Sequence, residues 1–390
     1  MLLTREECVK ILRNFLKSQS DQLKLRHYNL ERDTSAIGYL GDYYALTLCY
    51  CTTDVKNAQQ AKLFVKALPQ QSDEPAKERI FQKESWLYET LLAKMQQYSK
   101  IKWSANCYYT RSDLCVLENI KHIGYQSAPA KQLKEEELFQ LLRTLSAFHA
   151  SSLIYEQQQK INIGVEFGER LPEITVAADI AWFTTGLSAI LAVIRSLPQY
   201  QTSRHHDFIN SHLTEILQRI YEQVLPSTKY QNVLCHRDLW SGNIFFPSNQ
   251  KDAVLLVDFQ TCRYTPPAID LVFSLYLNLS VEERRRLEAK CIDFYYNWLR
   301  QDLQDFDLML DELISNTELL QSYEEFRLFG VVYSAVAATI IKVPPSYVTN
   351  DFKYVDRSKI ILNYMRENVD FREAMELCCV EVMEIAMLTL

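Results

Sequence analysis

The stretch HRDLWSGNIFF, residues 236–246, places a histidine, an aspartate and an asparagine at fixed offsets and then continues into apolar residues. A strand edge or a solvated loop does not need this arrangement, whereas a phosphoryl-transfer site does. In such a site a carboxylate orients the attacking hydroxyl and accepts its proton, and oxygen ligands hold the metal ions that neutralise the phosphates. The Asp-x-x-x-x-Asn spacing of Asp238 and Asn243 lets one loop supply both kinds of group.

A third candidate, Asp258, ends the apolar run in AVLLVDFQ, residues 253–260. A buried strand that delivers a carboxylate at its end is a suitable mount for a metal ligand, because Mg²⁺ prefers hard oxygen ligands and takes few of them from the protein. An aspartate in this position can also simply cap a turn. Together with Asn243, Asp258 completes a predicted magnesium site.

A phosphate-binding lysine is predicted in LFVKALP, residues 63–69, where Lys66 interrupts an apolar strand. A lysine among apolar residues is costly to bury without a partner. Glu84, in the predicted helix over 77–95, is a candidate partner that would fix the ammonium group. Each residue alone has an ordinary alternative, since Lys66 can be an edge-strand lysine and Glu84 a solvent-facing helix residue.

The elements before residue 119 are predicted to be mainly strands. The pattern indicates an amphipathic helix over 1–25, a hairpin of strands 43–53 and 61–68 joined by a polar turn at 54–60, the helix over 77–95, and a strand pair around 105–118. We therefore predict an N-terminal lobe over 1–118.

Helical periodicity dominates the remainder of the chain. It predicts helices at 134–157, 177–196, 205–224, 282–301, 307–320, 322–342 and 370–388, interrupted by short strands and a loop over 232–259. The expected fold class is α+β, with a small β-rich N-terminal lobe and a large, mainly α-helical C-terminal lobe over 119–390.

Composition excludes several classes of protein. The chain has 390 residues and a net charge of −7, which argues against a general nucleic-acid binder, because such binders depend on basic patches. The ten cysteines lie scattered in apolar contexts and are predicted to be buried reduced thiols. The stretch MLLTREECVKIL lacks the apolar core of a signal peptide, and the longest apolar stretch, 186–194, is far short of the ~20 residues of a membrane span. We expect a cytoplasmic protein.

The segments LFVKALP, FQKESWLY, CVLENI, SAFHA, LCHRDLWSGNIFF and LLVDFQTCRYTPPAIDL resemble the ecdysteroid kinase-like (CHK kinase-like) family of insects. That family lies in the choline kinase and aminoglycoside phosphotransferase branch of the protein-kinase-like superfamily. The resemblance covers residues 63 to 271 and implies a bilobal protein-kinase-like fold. It implies ATP and Mg²⁺ as cofactors.

The resemblance also implies roles for individual residues. Asp238 would be the catalytic base, Asn243 and Asp258 would bind Mg²⁺, and Lys66, supported by Glu84, would contact the nucleotide phosphates. Backbone groups near Glu118 and Ile120 would hold the adenine. His236 would brace the loop by hydrogen bonds, and Asp270, which otherwise could merely cap a helix, would brace it too.

Two departures from the pattern of protein kinases stand out. The phosphate-covering loop IGYLGDYYAL offers only Gly38 and Gly41. Gln260 occupies the position of a glycine, although glycine permits backbone conformations that glutamine resists. The stretch between Asp258 and Asp270 is too short for a phosphorylation-switched loop and a peptide platform, which argues for a small substrate.

The predicted activity is transfer of the γ-phosphoryl group of ATP to a hydroxyl of a small, largely apolar molecule, either an ecdysteroid or a hydroxylated xenobiotic, with a role in detoxification. The alternatives are a choline or aminoglycoside type of kinase with a cationic acceptor, a protein kinase, and a non-catalytic nucleotide-binding pseudokinase. Acceptor contacts are expected from about 150–230 and 270–350, where aromatic residues are frequent. These aromatic residues can equally be ordinary helix core.

Overall fold

A computed structural model gives the fold of the chain. It describes residues 2–18, 23–33, 41–52, 55–69, 75–127, 132–249 and 251–389. The predicted glycine Gly38 lies outside the described residues.

The N-terminal part is built on one antiparallel sheet of five strands in the order β1-β2-β3-β5-β4. The strands are β1 Lys24–Arg32, β2 Asp42–Thr52, β3 Val55–Ala67, β4 Cys107–Arg111 and β5 Leu114–Glu118. The predicted polar turn at 54–60 is wrong in extent, because β2 and β3 stay paired as far as Thr52 opposite Val55. Residues 58–60 are partly or fully exposed, so this end of the ladder accommodates polar side chains.

Helix α1, Arg5–Leu16, covers one face of the sheet. The predicted helix over 1–25 is wrong beyond Leu16, since Lys17 adopts a left-handed φ of 50° that ends the helix. The helix begins with a capping box between Thr4 and Glu7. Strand β1 follows, and it was not predicted.

The alternation of β3 explains why a lysine lies in an apolar strand. Leu63, Val65 and Ala67 are buried in the core shared with α1. Successive side chains of a strand point to opposite faces. Phe64 and Lys66 therefore point away from α1, and both side chains line a cleft on the other face of the sheet.

Helix α2, Pro75–Trp86, continues through a π-helical segment, Leu87–Leu92, into α3, Ala93–Gln96. The predicted helix over 77–95 is thus confirmed. Phe81, Leu87 and Leu91 are buried in the large core of the C-terminal part. This packing carries Glu84 to a position that is 1% exposed.

The C-terminal part is mainly helical. Its helices are α4 Glu135–Gln159, α5 Ile163–Phe167, α6 Ala181–Ser196, α7 Ser203–Phe208, α8 Thr214–Gln218, α9 Ile220–Gln223, α10 Ala268–Tyr276, α11 Val281–Gln304, α12 Leu310–Leu313, α13 Asn316–Ile341, α14 Asn350–Tyr354, α15 Ser358–Glu367 and α16 Val369–Leu388. The predicted helix over 307–320 is wrong, because Ser315 accepts a hydrogen bond from the Glu318 amide and starts α13 there. The predicted helix over 205–224 consists of short consecutive helical pieces.

Two small antiparallel ladders interrupt the helices. Their strands are β6 Tyr125–Ser127, β7 Val233–Cys235, β8 Ile244–Pro247, β9 Leu255–Leu256 and β10 Arg263–Thr265. The register places Cys235 opposite Arg263 and Ile244 opposite Leu256. The loop 236–243 connects β7 to β8, and the turn 257–262 connects β9 to β10. Both segments therefore run between the same two ladders and lie side by side.

Candidate active site

Lys66 is the centre of a buried polar cluster that joins three elements. Its Nζ lies 2.6 Å from Glu84 Oε2 on α2 and 2.6 Å from Asp258 Oδ1 beyond β9. Burial lowers the pKa of the Lys66 ammonium, but the charges of Asp258 and Glu84 outweigh burial and hold that pKa well above its usual value. The lysine is therefore a fixed cation, and Glu84 is its buried partner.

The turn that carries Asp258 shows why glutamine is tolerated at position 260. The positive φ of 69° falls on Asp258, an aspartate that can adopt the left-handed conformation, and Phe259–Thr261 forms a 3₁₀ turn. The Gln260 side chain donates to Asp258 Oδ2 at 3.2 Å and lies 3.4 Å from Lys66 Nζ. Gln260 thus orients the carboxylate instead of supplying backbone freedom.

Asp238 and Asn243 contact each other within their loop. Asn243 Nδ2 donates to Asp238 Oδ2 at 2.7 Å and to the Asp238 carbonyl at 3.0 Å. Burial, followed by the nearby charge of Asp258, raises the pKa of the Asp238 carboxyl to about 7. Since Asn243 uses its amide nitrogen for both bonds, its Oδ1 is the atom that can bind a metal.

Asp270 at the start of α10 holds the loop from behind. Its carboxylate accepts hydrogen bonds from the backbone amides of His236 at 2.6 Å and Arg237 at 2.8 Å. Burial raises the pKa of Asp270, but the hydrogen bond with His149 and the amide donors more than offset this and hold it below its ordinary value. The predicted bracing position of Asp270 is matched by these contacts.

His149 on α4 completes this bracing and was missed from the sequence. Its Nε2 lies 3.1 Å from Asp270 Oδ2, and its Nδ1 lies 2.7 Å from the Tyr295 hydroxyl. His149, Cys235 and Asp270 could geometrically hold a metal ion. However, Cys235 Sγ already donates to the Thr265 carbonyl at 3.3 Å, so these groups are occupied as structural contacts.

His236 links the loop to the turn of Asp258. Its Nε2 donates to the Val257 carbonyl at 2.9 Å, and its Nδ1 accepts from the Asp238 amide at 3.3 Å. Burial lowers the pKa of His236, so the imidazole is the neutral form that these two bonds require. His236 therefore fixes the positions of Asp238 and Asp258 relative to each other.

A cleft of about 140 Å³ lies beside Lys66, Asn243 and Asp258. Its apolar lining comes from Tyr43, Phe64, Ala105, Leu117, Phe245 and Val257. Tyr43 and Phe64 stack with ring centroids 5.8 Å apart. An apolar slot that ends at a lysine and a carboxylate suits a planar base with an attached polyphosphate.

Glu118 and Ile120 border this cleft, but some of their backbone groups already have partners. The Ile120 amide donates to the Glu118 carbonyl at 3.0 Å, and the Ile120 carbonyl accepts from Tyr125 at 3.0 Å. A carbonyl oxygen has two lone pairs, so both carbonyls can accept a further hydrogen bond. The Ile120 amide cannot donate to a base without leaving Glu118.

Gly41 lies where β2 begins beside β3. A Cβ at Gly41 would lie 3.3 Å from the Ala67 carbonyl and 3.4 Å from Lys66 Cγ. The small residue therefore permits close approach of the backbone to the lysine.

The β-rich N-terminal part with its Lys66–Glu84 pair, the helical C-terminal part and the Lys66–Asp258 contact between them define the bilobal protein-kinase-like fold that was predicted. The sequence model of the ecdysteroid kinase-like family matches residues 37–308. The chain belongs to this family of kinase-like phosphotransferases.

Solved structures of small-molecule kinases are similar to this chain at low identity. An ethanolamine kinase from Plasmodium vivax is 13% identical over 90% of this chain and 84% of its own, with a TM-score of 0.36. The ADP-bound aminoglycoside phosphotransferase APH(2'')-Ib is 14% identical over 97% of this chain and 99% of its own, with a TM-score of 0.40. A comparison with curated proteins gave no match. In the described part of the chain, no helix combines the length and apolarity needed to cross a membrane.

Proposed function

We propose that this protein transfers the γ-phosphoryl group of ATP to a hydroxyl of a small, largely apolar molecule. The observation that carries the proposal is the convergence of Lys66, Glu84 and Asp258 beside the Asp238–Asn243 pair at one cleft. Phosphoryl transfer needs positioning and charge stabilisation, and these groups supply both. The proposed N-terminal lobe spans 1–118 and the proposed C-terminal lobe spans 119–390.

In the proposed step, the acceptor oxygen bonds to the γ-phosphorus, the bond from that phosphorus to the bridging oxygen breaks, and ADP leaves. Asp238 orients the acceptor hydroxyl and accepts its proton, while Lys66 holds the nucleotide phosphates. Asn243 Oδ1 and the Asp258 carboxylate are hard oxygen donors that fit Mg²⁺, which would neutralise the phosphates when bound.

A second cavity, of about 180 Å³, is the proposed acceptor site. The two cavities share the catalytic loop, because Gly242 and Asn243 line the nucleotide cleft whereas Trp240 and Ser241 line the second cavity. An acceptor in the second cavity would therefore lie against the same loop that borders the nucleotide cleft.

The lining of this second cavity favours an apolar acceptor. Its apolar residues include Trp240, Leu277, Ala337, Ala338, Ile341 and Leu377. Its charged residues are Glu381 and Arg284, which form an ion pair with each other, and Lys342. A site without an unpaired carboxylate is unsuited to a polycation, so the choline or aminoglycoside type of acceptor is disfavoured.

The aromatic residues expected to contact the acceptor are mostly core. Phe183, Phe273 and Tyr295 are fully buried. Tyr276, by contrast, lines the second cavity.

An ecdysteroid or a hydroxylated xenobiotic is the acceptor class that the apolar lining favours, and phosphorylation would add up to two negative charges near neutral pH. Such a change suits inactivation or detoxification of an apolar compound. The ten cysteines are unpaired, which supports the proposed cytoplasmic location, where thiols stay reduced.

The acceptor class is tested by incubating the protein with Mg²⁺-ATP and a panel of ecdysteroids, hydroxylated plant compounds, choline and aminoglycosides. Mass spectrometry is expected to show a gain of one phosphoryl group on an apolar alcohol. Phosphorylation of choline or an aminoglycoside alone would overturn the acceptor class and leave the kinase assignment standing.

Ala337→Trp should fill the second cavity. We expect this variant to lower phosphorylation of the acceptor by about tenfold or more, because overfilling displaces a bound molecule, while Mg²⁺-ATP affinity stays within about twofold. The control is Leu320→Trp on the same helix, where the wild-type side chain is exposed. Equal transfer rates for both variants and the wild type would place the acceptor elsewhere.

A further inference from the structure

Three buried basic side chains converge on three consecutive residues, Leu171, Pro172 and Glu173, which we call the 171–173 clamp. Arg263 donates to the Leu171 carbonyl, and Lys83 Nζ donates to the Pro172 carbonyl at 3.0 Å. Arg237 Nη1 lies 3.4 Å from Glu173 Oε2. Each basic side chain comes from a different element of the fold.

The two carboxylate oxygens of Glu173 have different tasks. Oε1 accepts hydrogen bonds from the amides of Ile174, Thr175 and Val176 at 3.1, 2.8 and 3.0 Å, and from the Thr175 hydroxyl at 2.7 Å. These bonds fix the carboxylate against its own backbone. Oε2 faces Arg237 and lies 3.6 Å from Arg263 Nε.

The charges around the clamp are unbalanced without Glu173. Among the described residues, no carboxylate besides Glu173 forms an ion pair with Arg237 or Arg263, and the Arg237 guanidinium nitrogens have no hydrogen-bond partner. The Arg237 side chain is fully buried, with its charge 5.0 Å from the ring centre of Phe329. Burying a cation without a nearby anion is costly.

The electrostatics of the cluster agree with this geometry. Burial lowers the pKa of Lys83 to about 7, with Arg263 and Arg237 contributing in the same direction. Burial raises the pKa of Glu173, but Arg237 and the Thr175 hydrogen bonds outweigh burial and hold that pKa below its ordinary value. Glu173 is thus a charged group in a cationic surrounding.

The three basic side chains are attached to the elements that carry the proposed catalytic groups. Lys83 directly precedes Glu84, and Arg237 directly precedes Asp238. Arg263 begins β10, the strand that follows the turn of Asp258. A shift of any of these elements would move a catalytic group relative to the nucleotide.

We propose that Glu173 is a positioning residue, whose fixed negative charge holds the catalytic loop and β10 together through Arg237 and Arg263, next to the Pro172 carbonyl that binds Lys83 of α2. The expected effect on the rate rests on the proposed phosphoryl transfer. The structural role of Glu173 in holding these elements together does not rest on it.

The test uses Glu173→Gln in the full chain. The glutamine carbonyl can still accept the bonds made to Oε1, but its amide group turns donors toward Arg237 and Arg263. The control is Glu169→Gln, at an exposed position of the same connecting segment. Hydrogen exchange measured by mass spectrometry reports whether these elements stay held together. Hydrolysis of Mg²⁺-ATP with water as acceptor reports whether the catalytic rate depends on it.

In Glu173→Gln we expect amide exchange over 171–177, 236–243 and 263–265 to accelerate by about tenfold or more, with the remainder of the chain unchanged. We expect kcat for hydrolysis to fall roughly tenfold to a hundredfold while KM for Mg²⁺-ATP changes by less than about threefold, because misplacement affects the reacting geometry more than binding. Unchanged exchange in these segments would overturn the structural role of Glu173. Faster exchange with unchanged kcat would overturn the positioning role. A wild-type protein that neither hydrolyses ATP nor phosphorylates any acceptor of the panel would instead refute the proposed function, and exchange would still decide whether Glu173 holds these elements together.

A double-mutant cycle with Arg237→Met tests whether Glu173 acts through the cation that faces its Oε2. Arg237→Met removes the cation that faces Oε2, and in that background Glu173→Gln should accelerate exchange over the same segments by less than about threefold, because paired residues are non-additive. A full effect of Glu173→Gln in the Arg237→Met background would contradict action through this pair.

Discussion

Asp238→Asn is expected to lower phosphoryl transfer to the acceptor by ~10²–10⁴, because loss of a general base typically costs this factor. Asparagine keeps the shape of the side chain but cannot accept the proton. Asp238 does not line the nucleotide cleft, so the affinity for Mg²⁺-ATP should stay nearly intact.

The rate is measured as phosphorylated acceptor formed over time, and the affinity by calorimetric titration. Asp252→Asn, the same chemical change at an exposed position, serves as the control. Near-normal turnover of Asp238→Asn would show that this carboxylate is not the base.

Asp258→Ala is expected to abolish the dependence of ATP binding on Mg²⁺, together with transfer, because it removes the carboxylate that would hold the metal. Lys66 keeps its bond to Glu84 at 2.6 Å, so the lysine is not left unpaired and the fold should persist. Wild type and variant are compared by titrating ATP with Mg²⁺ and with EDTA, and a thermal melt confirms folding. Asp252→Ala is the matched control. An equal gain in ATP affinity from Mg²⁺ in both proteins would contradict the assignment.

Residues with local signals were predictable from the sequence. Lys66 interrupts an apolar strand, and Asp258 ends another. The sequence therefore indicates both that these charged residues are buried and that they have a chemical role. The partner of Lys66 followed from the apolar face around Glu84. The structure brings these three groups together as expected.

Groups whose partners are distant in the chain could not be found in this way. Glu173 lies in an irregular segment with no periodicity, and its partners Arg237 and Arg263 come from other elements. The one available hint for His149 was a polar residue inside the apolar helix segment SAFHA. Its partners Asp270 and Tyr295 are fixed only by tertiary packing.

Errors in the predicted elements have local physical causes. The helix over 1–25 was drawn too long because the polar residues after Leu16 do not reveal the left-handed conformation of Lys17. The predicted hairpin turn is too long because the polar residues Gln59 and Gln60 pair as strand.

The central claim is that this site moves the γ-phosphoryl group to a hydroxyl, and mass balance tests it most directly. ADP and phosphorylated acceptor are quantified together by mass spectrometry after incubation of wild type and Asp238→Asn with ATP, with Mg²⁺ or with EDTA. We expect equal molar amounts of both products for wild type with Mg²⁺, and almost none for Asp238→Asn or with EDTA. ATP binding without formation of ADP or of any phosphorylated acceptor across the panel would contradict this claim and identify a non-catalytic nucleotide-binding protein.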